Sequence, residues 1–85
     1  MTDSITGDEF FLVAKKKYEI NDFQSAIKNC SKAIEINPNY AEEYNRRGLS
    51  KRAIEDSKGA CEDLKKAAEL GCGESAELFK KDCKN

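Results

Sequence analysis

Apolar residues recur along this chain with helical spacing. Phe10, Val13, Ala14 and Tyr18 mark a first segment. Phe23, Ala26, Ile27, Cys30, Ala33 and Ile34 mark a second stripe at i, i+3, i+4 and i+7. Asn21 and Asp22 separate the two, and Asp22 is placed to cap the second helix. Upstream, Thr6-Gly7-Asp8-Glu9 reads as a capping box that opens the first. The second stripe stops at Asn37-Pro38, the only proline in the chain. Asn39 to Glu42 spells another box, so a third helix is expected from about Tyr40 to Ile54. Asp56, Ser57 and Gly59 punctuate, and a fourth stripe follows at Ala60, Cys61, Leu64, Ala67 and Ala68. Gly71 then stands as a left-handed C-cap, and Glu74 to Cys83 is long enough for one short helix. Strand alternation is absent, so the pattern predicts an all-α chain of five helices.

The pattern also repeats. Shifted by 34 residues, Glu9 meets Glu43, Lys17 meets Lys51 and Ile20 meets Ile54. Asp22 meets Asp56, Ala26 meets Ala60 and Ala33 meets Ala67. Phe10 falls on Tyr44 and Ala14 on Gly48, both conservative pairs. Glu43 meets Glu77, so the last helix starts a third copy that stops half way. Small residues at Ala14/Gly48, Ala26/Ala60 and Ala33/Ala67 let helices approach closely, and each pair needs a stacked neighbour to bury its face.

A helix pair of this period, with an early aromatic, a small residue four positions on, two alanines seven apart and a closing proline, resembles the tetratricopeptide repeat. Copy one matches through Phe10, Val13, Ala14, Phe23, Ala26, Ala33 and Pro38, and copy two through Tyr44, Gly48, Ala60, Leu64 and Ala67. The resemblance implies a helix-turn-helix repeat solenoid, a right-handed superhelix. It divides the chain into one repeat over 7–40, a second over 41–74 and a capping helix over 75–84. Pro38 marks the border between copies; at the second border Gly71-Cys72-Gly73 replaces Asn37-Pro38-Asn39.

Composition narrows the function. Charged residues are 36%, the formal net charge is -1, and no apolar run spans a bilayer. The opening MTDSITGDEF is acidic and polar, without the regions of a secretion signal, so a cytoplasmic protein is expected. There is no histidine and no glycine-rich phosphate loop. Carboxylates such as Glu42-Glu43 read as a solvated helix surface, and no enzymatic activity, catalytic residue or cofactor is expected. No two of Cys30, Cys61, Cys72 and Cys83 stand in a C-x-x-C spacing, which argues against a metal site. Buried structural thiols are the expected state. A Cys72–Cys83 or similar disulfide is the alternative, opposed by a reducing compartment.

The remaining candidate is the basic run YNRRGLSKR, Tyr44 to Arg52. Arg47 and Lys51 share one helix face. Arg47 is expected to face the other helix of its pair, where Asp63 offers an ion pair; copy one has Val13 and Asn29 there, with neither charge. On a second face, the resemblance implies a concave groove that holds an extended peptide. Carried onto this sequence, that groove comprises Phe11, Lys15 and Tyr18, then Glu42, Asn45, Arg46, Leu49 and Arg52, with Ala76 and Lys80 from the closing helix. Relatives that clamp a C-terminal carboxylate use three full repeats with lysines and asparagines. Here Asn45, Arg46, Lys15 and Lys80 stand at comparable places, while Lys15 and Leu12 lie where copy one would need an asparagine. A looser site for an acidic or C-terminal carboxylate peptide is therefore the expectation. The N-terminal Ile5 segment covering Phe11 is the competing structural reading. The alternative function is homodimerisation through the same face, giving a monomer or weak homodimer. Glu42, Glu43, Glu55 and Asp56, with the near-neutral total, argue against nucleic acid.

Overall fold

The computed structural model describes residues 7–83, an uninterrupted series of five α-helices. These are α1 (Gly7–Glu19), α2 (Phe23–Ile36), α3 (Ala41–Ala53), α4 (Ser57–Glu69) and α5 (Gly73–Asp82). No strand occurs among the described residues. Thr6, Ile5 and Lys84, which carry the first capping box, the Phe11 cover and the end of the cap, lie outside them.

Local signals decide most boundaries. The Asp22 carboxylate accepts from the Ser25 backbone N–H at 3.3 Å, and Asp56 accepts from Gly59 N–H at 3.1 Å. Hydrogen bonds from the Ser25 side chain and backbone N–H hold Asp22 below the usual carboxylate range. The turns inside each pair are made by left-handed residues at equivalent places, Asn21 (φ 65°) and Glu55 (φ 68°). Asparagine tolerates that region; a glutamate there is strained by about 1 kcal/mol. Gly71, with φ 107°, turns the chain between α4 and α5.

The box expected at Asn39 does not form. Tyr40 occupies the N-cap position of α3 in extended conformation, and no side chain bonds the first turn. Pro38 and Asn39 are spent in a turn, so Asn39 stands one residue too early to reach the free N–H groups. The border is held instead by Tyr44, whose hydroxyl donates to the Pro38 carbonyl at 3.0 Å.

Each helix packs on its neighbours in sequence, and α1 also touches α3. The result is an elongated stack of 50 × 25 × 16 Å, with packing propagated between neighbours as in a helical solenoid. The core is built of small residues: Ala14, Ala26, Cys30, Ala33, Ala60 and Ala67 are buried, with Leu64 the bulkiest fully buried side chain. Gly48 shows why. A Cβ added there would lie 3.2 Å from both Asp63 Cβ and Leu64 Cδ2, so α3 and α4 meet backbone to side chain.

Two expectations are corrected. Glu43 is not on a solvated surface: α3 is flanked by α1, α2 and α4, and its first turn puts Glu43 at 0% exposure. The cysteines are not four thiols either. Cys61 and Cys83 form a disulfide with Cα atoms 5.8 Å apart, while Cys30 (buried) and Cys72 (half-buried) are free. Cys72 and Cys83 flank the ten residues of α5, roughly 15 Å of helix, which excludes the Cys72–Cys83 alternative.

Candidate functional site

The basic run on α3 separates into committed and uncommitted cations. Arg47 points into the α3–α4 pair. Its Nε donates to Asp63 Oδ2 at 2.8 Å and its second terminal nitrogen to Asp63 Oδ1 at 2.9 Å, a bidentate fork. Its remaining terminal nitrogen reaches back to Ser31 Oγ on α2 at 3.1 Å. The fork pushes the Arg47 pKa further up. Lys51 Nζ joins the same carboxylate at 3.2 Å, so two cations face one buried acid. Arg52 is committed as well: its Nε lies 2.7 Å from Asp82 Oδ2 on α5.

Asn45 is drawn inward. It is 6% exposed, and its side-chain oxygen accepts from Ser75 Oγ at 2.6 Å, tying α3 to α5. Of the expected groove residues, Asn45 and Arg52 therefore serve contacts with the closing helix. Lys80 is exposed on α5, and Leu49 and Ala76 are half-buried.

Arg46 behaves differently. Its guanidinium carbon lies 4.9 Å from the centre of the Tyr18 ring, and Tyr18 meets Phe23 edge-on at 5.5 Å. The contact joins α1 of copy one to α3 of copy two. Arg46 forms no ion pair among the described residues, and its Nε has no hydrogen-bond partner. One helical turn or so back from Tyr18, Lys15 Nζ lies 5.2 Å from the Phe11 ring centre, also without an ion pair among the described residues. The structure thus brings together Tyr18 with Arg46 and Phe11 with Lys15.

Three partners escaped the sequence reading: Ser31 for Arg47, Ser75 for Asn45 and Asp82 for Arg52. All are single polar residues on helices from another copy or on the cap, where spacing carries no signal. Lys51 was legible, since it stands four residues from Arg47. Glu43 beside this region has neither carboxylate oxygen hydrogen-bonded among the described residues, and burial, aided by the charge of Asp8, raises its pKa to about 7. Burial likewise pushes the Cys30 thiol up to about 12, which keeps it protonated.

No family model matches the chain. Among curated proteins it is 40% identical over 55 residues to tetratricopeptide repeat protein 36 of Danio rerio, covering 65% of this chain and 29% of that protein. A homolog of the same protein from Nematostella vectensis is 39% identical over 62 residues, 73% of this chain and 34% of the relative. RNA polymerase II-associated protein 3 of Xenopus tropicalis is 40% identical over 53 residues, 62% of this chain but 8% of that protein. The chain thus spans at most about a third of the length of these relatives.

Proposed function

Since the chain belongs to the tetratricopeptide repeat family, we propose that it is a binding module, which takes an acidic peptide segment of a partner protein on the face shared by α1, α3 and α5. One observation carries this reading: Arg46 is stacked on Tyr18, held in place, and has no acid of its own among the described residues. A cation fixed by an aromatic ring has already given up much of its rotamer freedom, so a carboxylate that meets it orders less. Lys15 beside Phe11 and Lys80 on α5 supply two further positive groups, and Phe11, Tyr18 and Leu49 supply apolar contact. Binding is by docking, without chemistry. The area of two repeats is small, so modest affinity is expected. Among the described residues no helix is long and apolar enough to cross a membrane.

The test is fluorescence anisotropy with short acidic-apolar peptides, each with a free or an amidated C-terminus. Arg46→Glu and Lys15→Glu should each weaken binding about tenfold or more, while Lys65→Glu, exposed on α4, should leave it within twofold. Equal affinities for all three variants would overturn the site. Loss of affinity on amidation would identify the terminal carboxylate as the recognised group.

A second copy of the chain is the rival occupant of this face, favoured by Leu12, which stands on α1 where Arg46 stands on α3 and is 52% exposed. Light scattering over a dilution series separates the two, because a chain that stays monomeric at high concentration cannot use this face for dimerisation.

A further inference from the structure

The closing helix is held by unusual means. Its only fully buried side chain is Ser75, and Leu78 and Phe79 are half-buried. A ten-residue helix does not persist alone in water, so α5 depends on its attachments. Three of these are specific. Near the start of α5, Asn45 accepts from Ser75 at 2.6 Å and donates to Glu74 at 3.5 Å. Arg52 pairs with Asp82 near its end, but Arg52 is 49% exposed and such pairs are weak. The third is the covalent link from Cys83, at the C-cap, to Cys61 on α4.

Cys61 and Cys83 are both half-buried rather than sealed. They line a cleft of about 280 Å³ together with Arg52, Ser57, Leu64 and Asp82. A small thiol can therefore reach the bond. Neither free cysteine can do so from within: Cys30 is fully buried and held protonated, and Cys72 lies at the opposite end of α5. Any opening must use an external thiol.

We propose that the cleft between α4 and α5 is a thiol–disulfide exchange site, at which a low-molecular-weight thiol opens Cys61–Cys83 and releases the closing helix from the stack. A thiolate attacks one of the two sulfurs, forming a mixed disulfide, and the electron pair of the broken S–S bond leaves on the other sulfur, which takes up a proton. A second thiolate attacks the small-molecule sulfur of the mixed disulfide, and the cysteine sulfur leaves with the electron pair of that bond and takes up a proton. Two thiols are thereby oxidised to one disulfide, and Cys61 and Cys83 are reduced to two thiols. The same steps run backwards in an oxidising buffer. α5 then docks or frees itself according to the thiol poise, while α1 to α4 keep their mutual packing. This holds whether or not the α1–α3 face takes a peptide.

The experiment uses the full chain equilibrated in glutathione buffers from fully oxidised to fully reduced. Alkylation and mass spectrometry read the thiols, and amide hydrogen exchange reads each helix. In oxidised glutathione Cys61 and Cys83 should resist alkylation. In reduced glutathione both should become alkylated together, with exchange in α5 at least tenfold faster and exchange in α2 to α4 within about twofold. A Cys61→Ser/Cys83→Ser variant without reductant should show the same fast α5. Three results overturn the proposal: failure of the pair to form in oxidised glutathione, α5 equally protected in both states, or loss of protection throughout the chain on reduction. The last would make the link a support of the whole fold rather than a latch on one helix.

Discussion

At the scale of single residues, Glu43 is set against its surroundings. A carboxylate with no exposure and, among the described residues, no donor is disfavoured as an anion, and the charge of Asp8 on α1 disfavours it further. Its folded pKa of about 7 lies above the ordinary 4.5. The fold therefore binds this proton more tightly than the unfolded chain does. The contribution to stability is complete below pH 4.5 and is lost as pH rises through 7, where the ion must be buried unpaired. Between pH 5.5 and 8 the wild-type chain should lose about 2 kcal/mol relative to Glu43→Gln, whose amide does not ionise. Urea midpoints at the two pH values check this; parallel pH profiles for the two proteins would show that Glu43 is solvated after all.

At the scale of helices, the α3–α4 pair is joined by a buried ion cluster where the α1–α2 pair is not. Asp63 is enclosed by Arg47 and Lys51, and Arg47 also holds Ser31. Removing the acid strands two cations, so Asp63→Asn should cost about 3 kcal/mol or more. Copy one folds its own pair with Val13 and Asn29 at these places. The double change Arg47→Val/Asp63→Asn should therefore recover much of that loss. Denaturation midpoints of both single variants and the double give the coupling directly, and a strictly additive result would refute it. The turns explain what was legible. Arg47 and Asp63 are equidistant from Glu55, the left-handed residue that reverses the chain, so an antiparallel pair must bring them face to face. Cys61 and Cys83 are equidistant from Cys72 in the same way, next to the Gly71 turn. The sequence thus held the signal for the disulfide, but only once α5 was treated as an antiparallel partner of α4. The Asn39 cap failed for the opposite reason: a local motif was overruled by the turn that Pro38 begins.

At the scale of the molecule, period and small residues were enough to foresee a solenoid of five helices, because stacking requires little beyond them. The binding face was less legible. Asn45 and Arg52 stand on the right helix, yet their use depends on Ser75 and Asp82 of the cap, which only the assembled stack brings near. A linear stack also distributes stability unevenly. The inner helices α2, α3 and α4 each have packed neighbours on both sides, whereas among the described residues α1 and α5 each end the stack. Amide exchange in the oxidised chain should be slowest around Cys30, Gly48 and Leu64 and faster in α1 and α5. Uniform protection across all five helices would mean a single cooperative unit instead.

The hydrogen bond from Arg47 to Ser31 makes the two copies non-interchangeable. Copy two needs a small hydroxyl on the helix before it, and copy one supplies it. The residue that copy two itself carries at that place is Lys65. A tandem array of copy two alone would set a guanidinium against an ammonium at every junction. This chain is thus a sentence with a fixed word order: the α3–α4 pair reads correctly after the α1–α2 pair and misreads after itself. Anyone lengthening the stack by concatenation would have to insert at the copy-one end.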